Sequence, residues 1–254
     1  MITPALQRYF DACGKSGPQP TANAEKVRRI VHLVAALAPR PLAELRILDL
    51  ATGHGTYALE CGLQGAHLVL GLDARVERMN QAAAIAWELG LTNVTFRPAD
   101  VRTVNRDTYG RWDVILFLGI LYHLDAPECC EVLTRLSEMA PLLLIDTFVG
   151  APKEHFQYAG QTYHGMRARE HRATDSAATK QRRQRASYGN DVSWYWEPAS
   201  LWRFLTTLGY NVLLEARAPL EPQKPPNRVT LACLRTPVVP IHIYPWIAPG
   251  GGPP

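Results

Sequence analysis

The sequence predicts an α/β fold, a mostly parallel β-sheet with helices on both faces. Three observations predict it. Short apolar runs alternate with amphipathic segments from about residue 46 to residue 148. The first apolar run leads into a turn of small residues before a helical segment. Acidic residues or glycine follow successive apolar runs, and the carboxyl ends of parallel strands are where such sheets bind ligands.

The apolar runs are the predicted strands and the amphipathic segments are the predicted helices. Strands are expected at 46–50, 67–72, 94–97, 112–118, 141–148, 210–217 and 228–234. Helices are expected at 24–38, 57–64, 74–89, 127–139, 174–187 and 197–208. Proline or glycine stands near the end of several of these helices, as at Pro39, Gly65, Gly90 and Gly209.

Composition excludes several classes of protein. The chain has 254 residues, of which 47% are hydrophobic, enough for one large core or two small ones. There is no run of 18 apolar residues, so no membrane span is expected, and the first residues lack the pattern of a signal peptide. The five cysteines form no Cys-x-x-Cys pair. We therefore expect reduced thiols in a cytoplasmic protein and no metal site.

Residues 46–57 contain the first strand and the turn that follows it, Arg-Ile-Leu-Asp-Leu-Ala-Thr-Gly-His-Gly-Thr-Tyr. Asp49 lies near the strand end, and Ala51, Gly53 and Gly55 follow at alternate positions. Small residues let the backbone approach a ligand closely, and the amides of the next helix point at that ligand. A dinucleotide fingerprint would begin with glycine where Ala51 stands. A tight turn without a ligand is the alternative interpretation.

Two segments carry a family resemblance. An acidic residue before a small-residue turn resembles motif I of class I S-adenosylmethionine-dependent methyltransferases, with Ala51 in place of the usual glycine. Phe-Leu-Gly-Ile-Leu-Tyr-His-Leu at 117–124 resembles a signature in a branch that includes tRNA wobble-uridine carboxymethyltransferases. The resemblance spans about 45–150, with weaker similarity at 195–209 and 227–234. It implies a Rossmann-like, seven-stranded sheet with an antiparallel last strand, and S-adenosylmethionine as the cofactor.

The chain is expected to divide into five segments. These are an N-terminal helical cap (1–40), a cofactor-binding core (41–150), a basic and aromatic substrate-side insert (151–193), the rest of the core (194–236) and a Pro/Gly-rich tail (237–254). The insert shows no strand pattern. Within residues 151–190, eight Lys or Arg face three Asp or Glu, a net charge of +5 in a chain whose formal net charge is +4.

Cofactor contacts are expected at the strand ends. By resemblance, Asp73 would accept hydrogen bonds from the ribose hydroxyls, with a helix N-cap as its alternative role. Asp100 would bind the exocyclic amine of adenine, and Val101 would cover the ring. In the signature branch, the tyrosine that matches Tyr122 helps to hold a carboxylated cofactor. The expected set is Asp49, Ala51, Gly53, Gly55, Asp73, Asp100, Val101, Leu118, Gly119 and Tyr122.

His123 is the leading candidate for a general base, because histidine changes charge near neutral pH and this one borders the expected methyl site. A purely structural hydrogen bond is its alternative role. Asp146 is the second candidate, as base or substrate anchor. Aromatic and basic side chains near the insert are expected to stack on an acceptor and bind an anionic group, with core packing as the alternative for the tryptophans. These acceptor-binding candidates are Arg182, Tyr188, Trp194 and Trp196.

Together these features predict a methyltransferase that acts on a small, aromatic or anionic acceptor by in-line displacement. The first alternative is an RNA-modifying methyl- or carboxymethyltransferase, which only the charge of the insert supports. A non-catalytic, cofactor-binding regulatory protein is the second alternative. A nicotinamide-dependent oxidoreductase is disfavoured by Ala51 and by the pattern of strand ends.

Overall fold

The computed structural model describes residues 3–7, 24–183, 186–217 and 227–235. The strands are β1 (Arg46–Leu50), β2 (Leu68–Asp73), β3 (Val94–Pro98), β4 (Val114–Leu118), β5 (Leu142–Phe148), β6 (Glu154–Tyr158), β7 (Gln161–Arg169), β8 (Val192–Trp196), β9 (Asn211–Arg217) and β10 (Arg228–Leu234). The helices are α1 (Ala24–Leu37), α2 (Thr56–Leu63), α3 (Val76–Glu88), α4 (Arg106–Tyr109), α5 (Glu128–Ser137), α6 (Ala177–Arg182) and α7 (Pro198–Thr207). The predicted tail at 237–254 lies outside the described residues.

Seven strands form the main sheet in the order β3-β2-β1-β4-β5-β10-β9. The first five are parallel to their neighbours, whereas β10 runs antiparallel to both β5 and β9. This arrangement confirms the predicted fold class, including the antiparallel last strand. The direction of strand order reverses between β1 and β4, which opens a crevice at their carboxyl ends.

Both faces of the central strands of the main sheet are buried. Leu48 and Leu50 of β1 pack into one apolar layer, whereas Ile47, which precedes Leu48, packs into the opposite layer. Helix α1 covers the second layer with Val27, Ile30, Val31 and Val34. Strands buried on both faces consist of nearly continuous apolar residues, which is why their positions were predictable. The predicted boundaries of the main-sheet strands and of helices α1, α2, α3, α5 and α7 hold to within two residues.

The insert departs from the prediction. The expectation of no strands at 151–193 is wrong, because β6, β7 and β8 form a second, antiparallel sheet. The helix expected at 174–187 is only Ala177–Arg182. In β7, polar and exposed residues alternate with buried ones, such as Tyr163 and Gly165. A sheet with one solvated face carries charged residues on alternate positions, and these hid the strand pattern.

The described residues contain no helix with the length and apolar character needed to cross a membrane. Within the same ranges, no group of three or more His, Cys, Asp or Glu side chains could hold a metal ion. Four of the five cysteines lie in the described part, and all four are buried, free thiols: Cys61, Cys129, Cys130 and Cys233.

Replacing Gly55 with alanine is expected to destabilise the fold by about 2–5 kcal/mol. Gly55 has a φ of 77°, and an added Cβ would lie 2.6 Å from Phe96 Cζ and 3.0 Å from Ala82 Cβ. Gly90 is the matched control, because its φ is also positive, at 69°, but no atom lies within 4 Å of the added Cβ. Gly90→Ala should cost only about 1–2 kcal/mol. Urea unfolding measures both, and equal losses would contradict the packing role of Phe96.

Candidate active site

The carboxyl ends of the parallel strands open onto a cavity of about 580 Å³. Main-sheet turns, helix α1, strand β10 and the insert all contribute to its wall. A cavity of this size accommodates a small molecule or a nucleotide cofactor. Ten of the residues selected from the sequence line it: Ala51, Gly53, Asp73, Asp100, Val101, Leu118, Gly119, Tyr122, His123 and Tyr188.

The turn after β1 is built from left-handed residues at alternate positions. The φ angles are 53° at Ala51, 60° at Gly53 and 77° at Gly55. The amide of Thr52 donates to the carbonyl of Leu72 at 3.0 Å, which ties the turn to β2. Ala51 therefore adopts the conformation that glycine adopts at lower cost. Gly55 does not line the cavity and packs beside Phe96.

Asp49 lies beneath this turn and not in the cavity wall, so the expected direct contact with a cofactor is not seen. Its carboxylate accepts hydrogen bonds from the Thr52 hydroxyl and the Ala58 amide. Burial raises the pKa of Asp49 to about 7, and this effect outweighs the two hydrogen bonds, which lower the pKa. Asp49 therefore shapes the turn from below.

Asp49→Asn is expected to change the pH dependence of stability. Because the folded-state pKa of about 7 exceeds the ordinary 3.8, the contribution of Asp49 is fully present below about pH 4 and is lost as the pH rises through about 7. Wild-type stability should therefore fall by roughly 2–4 kcal/mol relative to the variant between pH 4 and pH 8. Urea unfolding across this range measures the difference. The exposed Asp107→Asn is the control, and a pH-independent difference for Asp49→Asn would contradict the assignment.

Asp73 joins the turn after β1 to the segment that precedes α3. Its Oδ2 accepts the Gly53 amide at 3.0 Å, and its Oδ1 accepts the Arg75 amide at 2.9 Å. Helix α3 has Arg75 as its N-cap residue, so Asp73 is not the N-cap itself. A carboxylate offers about four acceptor positions, and Asp73 faces the cavity with some of them available.

Asp100 lines the cavity, but Arg102 binds its carboxylate. Arg102 donates from its backbone amide and from Nε to Asp100 Oδ1, both at 2.9 Å. Burial raises the pKa of Asp100, and the hydrogen bonds and charge of Arg102 lower it by more, so the pKa lies below its ordinary value. Contact between Asp100 and an adenine amine therefore requires Arg102 to turn away. Val101 forms the adjacent apolar wall.

His123 is paired with an acidic residue that the sequence did not indicate. Its Nδ1 lies 2.7 Å from Glu170 Oε1, and the Ser187 amide donates to Glu170 Oε2 at 3.0 Å. Burial raises the pKa of Glu170, but the hydrogen bond and charge of His123 lower it by more, leaving it below its ordinary value. Glu170 stands 47 residues from His123 in the chain, and no motif marks it.

Three aromatic rings and a guanidinium form the wall beside this pair. The Tyr122 ring lies 4.7 Å from the Phe148 ring, which is stacked 5.9 Å from Tyr195 between centroids. The Arg228 guanidinium lies 4.9 Å from the Phe148 ring and 5.5 Å from the Tyr122 ring. Phe148, Tyr195 and Arg228 were absent from the expected set. Strand alternation could have found Tyr195, because it lies between two buried tryptophans.

Asp146, the second candidate as base or substrate anchor, is buried and does not line the cavity. Its Oδ1 lies 2.9 Å from Lys26 Nζ and also binds Arg228, and its Oδ2 accepts the Thr230 hydroxyl at 2.8 Å. A carboxylate held by two cations is a weak base. Asp146 instead positions Lys26 and Arg228, which both line the cavity.

Three expected acceptor-binding residues also lie outside the cavity. Trp194 and Trp196 are fully buried, Trp194 at 5.0 Å from Phe156 and Trp196 stacked at 5.5 Å on Phe204, so both serve core packing. The exposed Arg182 donates from Nε to its own helix, at the Ala178 carbonyl. Tyr188 does line the cavity, with the Arg75 guanidinium 5.4 Å from its ring.

A protein-family model described as a methyltransferase domain matches residues 42–189, which is more than half of the chain. This chain belongs to that family. It is a methyltransferase, an enzyme of the class that uses S-adenosylmethionine. A search of curated proteins found no match.

Solved structures share the fold of this methyltransferase at low sequence identity. The N-terminal domain of EvdMO1 with SAH and D-fucose has 22% identity and a TM-score of 0.64, covering 91% of this chain and 94% of that one. Magnesium protoporphyrin IX methyltransferase (ChlM) from Synechocystis PCC 6803 with bound SAM has 16% identity and a TM-score of 0.58, covering 92% and 98%. An S-adenosylmethionine dependent methyltransferase from Mesorhizobium loti has 16% identity and a TM-score of 0.56, covering 83% and 96%.

The cavity residues fit S-adenosylmethionine. Asp73 offers acceptor positions suited to ribose hydroxyls, and Val101 and Leu118 offer apolar surface suited to a purine ring. Tyr57, which the sequence did not indicate, also lines the cavity. Its hydroxyl is buried and makes no hydrogen bond to any residue that the structure describes. A buried polar atom in a cavity wall needs a partner, and a polar cofactor provides one.

Proposed function

We propose that this methyltransferase acts on a small, partly aromatic, anionic acceptor, with His123 as the general base. One observation carries the proposal: the cavity lined by the turn after β1 is also lined by aromatic rings and cations, with His123 in the wall. S-adenosylmethionine supplies an electrophilic methyl group on a sulfonium. The residues of the chain align the acceptor, exclude water and accept a proton at His123.

The acceptor end of the cavity combines flat apolar surface with positive charge. Tyr122, Phe148 and Tyr195 supply rings for stacking, and Arg228 and Lys26 supply charge. Both cations share the single carboxylate of Asp146. Residues of the insert also line the cavity, which supports its proposed role on the substrate side: Arg169, Glu170, Ala186, Ser187, Tyr188, Gly189 and Asn190.

The alternative of an RNA acceptor depended on the positive charge of the insert. Part of that charge is paired within the protein, since Arg183 lies against Asp175 and Lys180 lies 2.5 Å from Asp191. Arg167 is likewise paired with Glu154. Nucleic-acid binding depends on basic groups that can meet phosphates, and pairing reduces their number. This distribution supports a small molecule over RNA.

Transfer of a labelled methyl group tests the proposal. The enzyme is incubated with methyl-labelled S-adenosylmethionine and either total tRNA or a library of small hydroxylated aromatic acids. We expect label in the small-molecule fraction and none in RNA. Labelling of tRNA alone, with salt-sensitive binding, would overturn the proposal in favour of the RNA-modifying alternative.

Carboxymethyl transfer is a second candidate function, and one observation favours it. The guanidinium of Arg228 lies over the ring of Tyr122, and in the branch with the matching signature this tyrosine helps to hold a carboxylated cofactor. A carboxylate beside this cation would form a charge-assisted hydrogen bond. Calorimetry with carboxy-S-adenosylmethionine and S-adenosylmethionine tests it. If the carboxylated form binds at least about tenfold more tightly, a binding free-energy difference of about 1.4 kcal/mol, carboxymethyl transfer is supported. Equal affinities would exclude it.

We also propose a cytoplasmic location for the enzyme. The support is that the four described cysteines are buried, free thiols, which suits a reducing compartment. Cell fractionation with an antibody against the protein tests the location.

A further inference from the structure

We propose that Glu170 is a positioning residue for His123, and that the attacking atom of the acceptor is a hydroxyl oxygen. The proposal rests on the methyl transfer proposed above and adds a residue and a chemical class to it. The carboxylate reaches His123 from the end of β7, in the small antiparallel sheet, and not from the main sheet that holds the cofactor turn.

Glu170 is held in one orientation. Its side chain is 8% exposed and that of His123 is 14% exposed, and the two meet at 2.7 Å. The second carboxylate oxygen accepts the Ser187 amide at 3.0 Å. The backbone of Glu170 is fixed as well, because its amide donates to the Asp191 carbonyl at 2.9 Å. A buried carboxylate with both oxygens bound has little freedom to leave the histidine.

The segment 187–191 connects both members of the pair. The buried His171 ring binds the Ser187 carbonyl through Nε2 at 2.7 Å, which fixes the loop that holds Glu170. Asn190 donates from Nδ2 to the carbonyl of His123 at 3.4 Å and to Glu128 Oε2 at 2.8 Å. The same short segment therefore places the base and the carboxylate that orients it.

The contact determines which histidine nitrogen can act as a base. A carboxylate that accepts a hydrogen bond from Nδ1–H leaves the lone pair on Nε2. Within the described residues, Nε2 of His123 makes no hydrogen bond, and the ring lines the cavity. Glu170 stays ionised and stabilises the imidazolium that forms, as the low pKa of its carboxyl allows.

A positioned base is most useful to a hydroxyl acceptor. A neutral amine attacks with its own lone pair, and a thiol ionises readily near neutral pH, whereas a hydroxyl must lose its proton as it attacks. The hydroxyl oxygen forms a bond to the methyl carbon while the bond from that carbon to sulfur breaks, its electron pair remaining on sulfur. The hydroxyl proton passes to Nε2 of His123, so charge and atoms balance.

Other charged and titratable groups also surround the pair. The Tyr122 ring lies 4.2 Å from that of His123, and the electrostatic environment of Glu170 includes Tyr122 and Tyr195. Arg169 precedes Glu170 and lines the same cavity, and Arg228 lies over Tyr122. The variants that are compared must therefore leave these groups unchanged.

The test compares Glu170→Gln and Glu170→Asp with Glu154→Gln. Glu154 is the matched control, because it lies on the same antiparallel sheet, is paired with Arg167 and does not line the cavity. Glu170→Gln should lower kcat roughly 10- to 100-fold, with the KM for S-adenosylmethionine within about twofold of wild type. Glu170→Asp, which keeps the charge, should recover part of the loss. Glu154→Gln should match the wild type.

A second measurement does not depend on turnover. ¹⁵N NMR of the neutral His123 ring in the complex with S-adenosylhomocysteine should place the proton on Nδ1 in the wild type. In Glu170→Gln the proton should shift toward Nε2, because the carboxylate that accepts the Nδ1–H is gone. An unchanged tautomer together with full kcat would overturn the positioning role. Product analysis addresses the acceptor class, and a methyl group found on nitrogen or carbon would overturn the hydroxyl assignment. If no acceptor is methylated, the proposed function fails, while the tautomer measurement still decides whether Glu170 orients His123.

Discussion

Replacing His123 with asparagine is expected to lower kcat by about 10²- to 10⁴-fold, the range for loss of a general base. Asparagine keeps an N–H that can donate to Glu170 but has no nitrogen that accepts a proton. Because His123 is proposed to face the acceptor, the affinity for S-adenosylmethionine should change by less than about threefold, or roughly 0.6 kcal/mol. Steady-state kinetics and calorimetry measure the two quantities separately.

His155→Asn is the matched control for this prediction. His155 lies on β6, with its ring 6.0 Å from that of His164, and it does not line the cavity. The substitution His155→Asn should leave both kcat and the affinity for S-adenosylmethionine unchanged. Full activity of His123→Asn would show that His123 only hydrogen-bonds its surroundings, which is the alternative that the sequence left open.

Asp73→Ala is expected to weaken binding of S-adenosylhomocysteine by about 10²- to 10⁴-fold. Hydrogen bonds to a charged group contribute about 1.5–3 kcal/mol each, and two ribose hydroxyls face this carboxylate in the proposed complex. The substitution also removes the acceptor of the Gly53 and Arg75 amides, which loosens the turn that lies against the cofactor. Isothermal calorimetry gives the dissociation constant.

Asp113→Ala is the control for Asp73→Ala. Asp113 lies just before β4, at the opposite end of the sheet, where it accepts the Arg46 amide at 2.8 Å and pairs with Arg40. The substitution Asp113→Ala should leave the dissociation constant for S-adenosylhomocysteine unchanged. If Asp73→Ala binds as tightly as the wild type, Asp73 serves only to hold the two turns together.

The main sheet could be predicted because its central strands are buried on both faces. Ile47, Leu48 and Leu50 are consecutive or nearly consecutive apolar residues, and a polar substitution at any of them would be buried in one layer or the other. The small residues after β1 indicated a turn, because small residues adopt left-handed backbone at low cost. The structure shows left-handed backbone at these positions. The two residues of this turn that line the cavity, Ala51 and Gly53, were selected from the sequence on these features.

The small antiparallel sheet could not be predicted in the same way. Its polar and exposed residues resemble those of a loop, so β6 and β7 were missed, and Glu170 was missed with them. In β8 the aromatic side chains alternate between two faces, but no strand was predicted there. Trp194 and Trp196 face the core, and Tyr195 between them faces the cavity.

Acidic residues at strand ends were located correctly by sequence, but their partners were not. Asp49 is bound by Thr52, Asp100 by Arg102, and Asp146 by Lys26 and Arg228. Lys26 and Arg228 are distant in the chain from Asp146, and only the packing of α1 and β10 on β5 brings them together. A pattern of spacing shows where a carboxylate lies, whereas its chemistry depends on these three-dimensional contacts.

A crystal structure with bound S-adenosylhomocysteine tests the central claim most directly, namely that the cavity has a cofactor end at Asp73 and an acceptor end at His123. We expect the ribose hydroxyls within hydrogen-bond distance of Asp73, the adenine against Val101 and the sulfur facing Tyr122 and His123. A complex in which the sulfur points away from this wall, or in which Asp73 makes no contact with the ribose, would contradict the account.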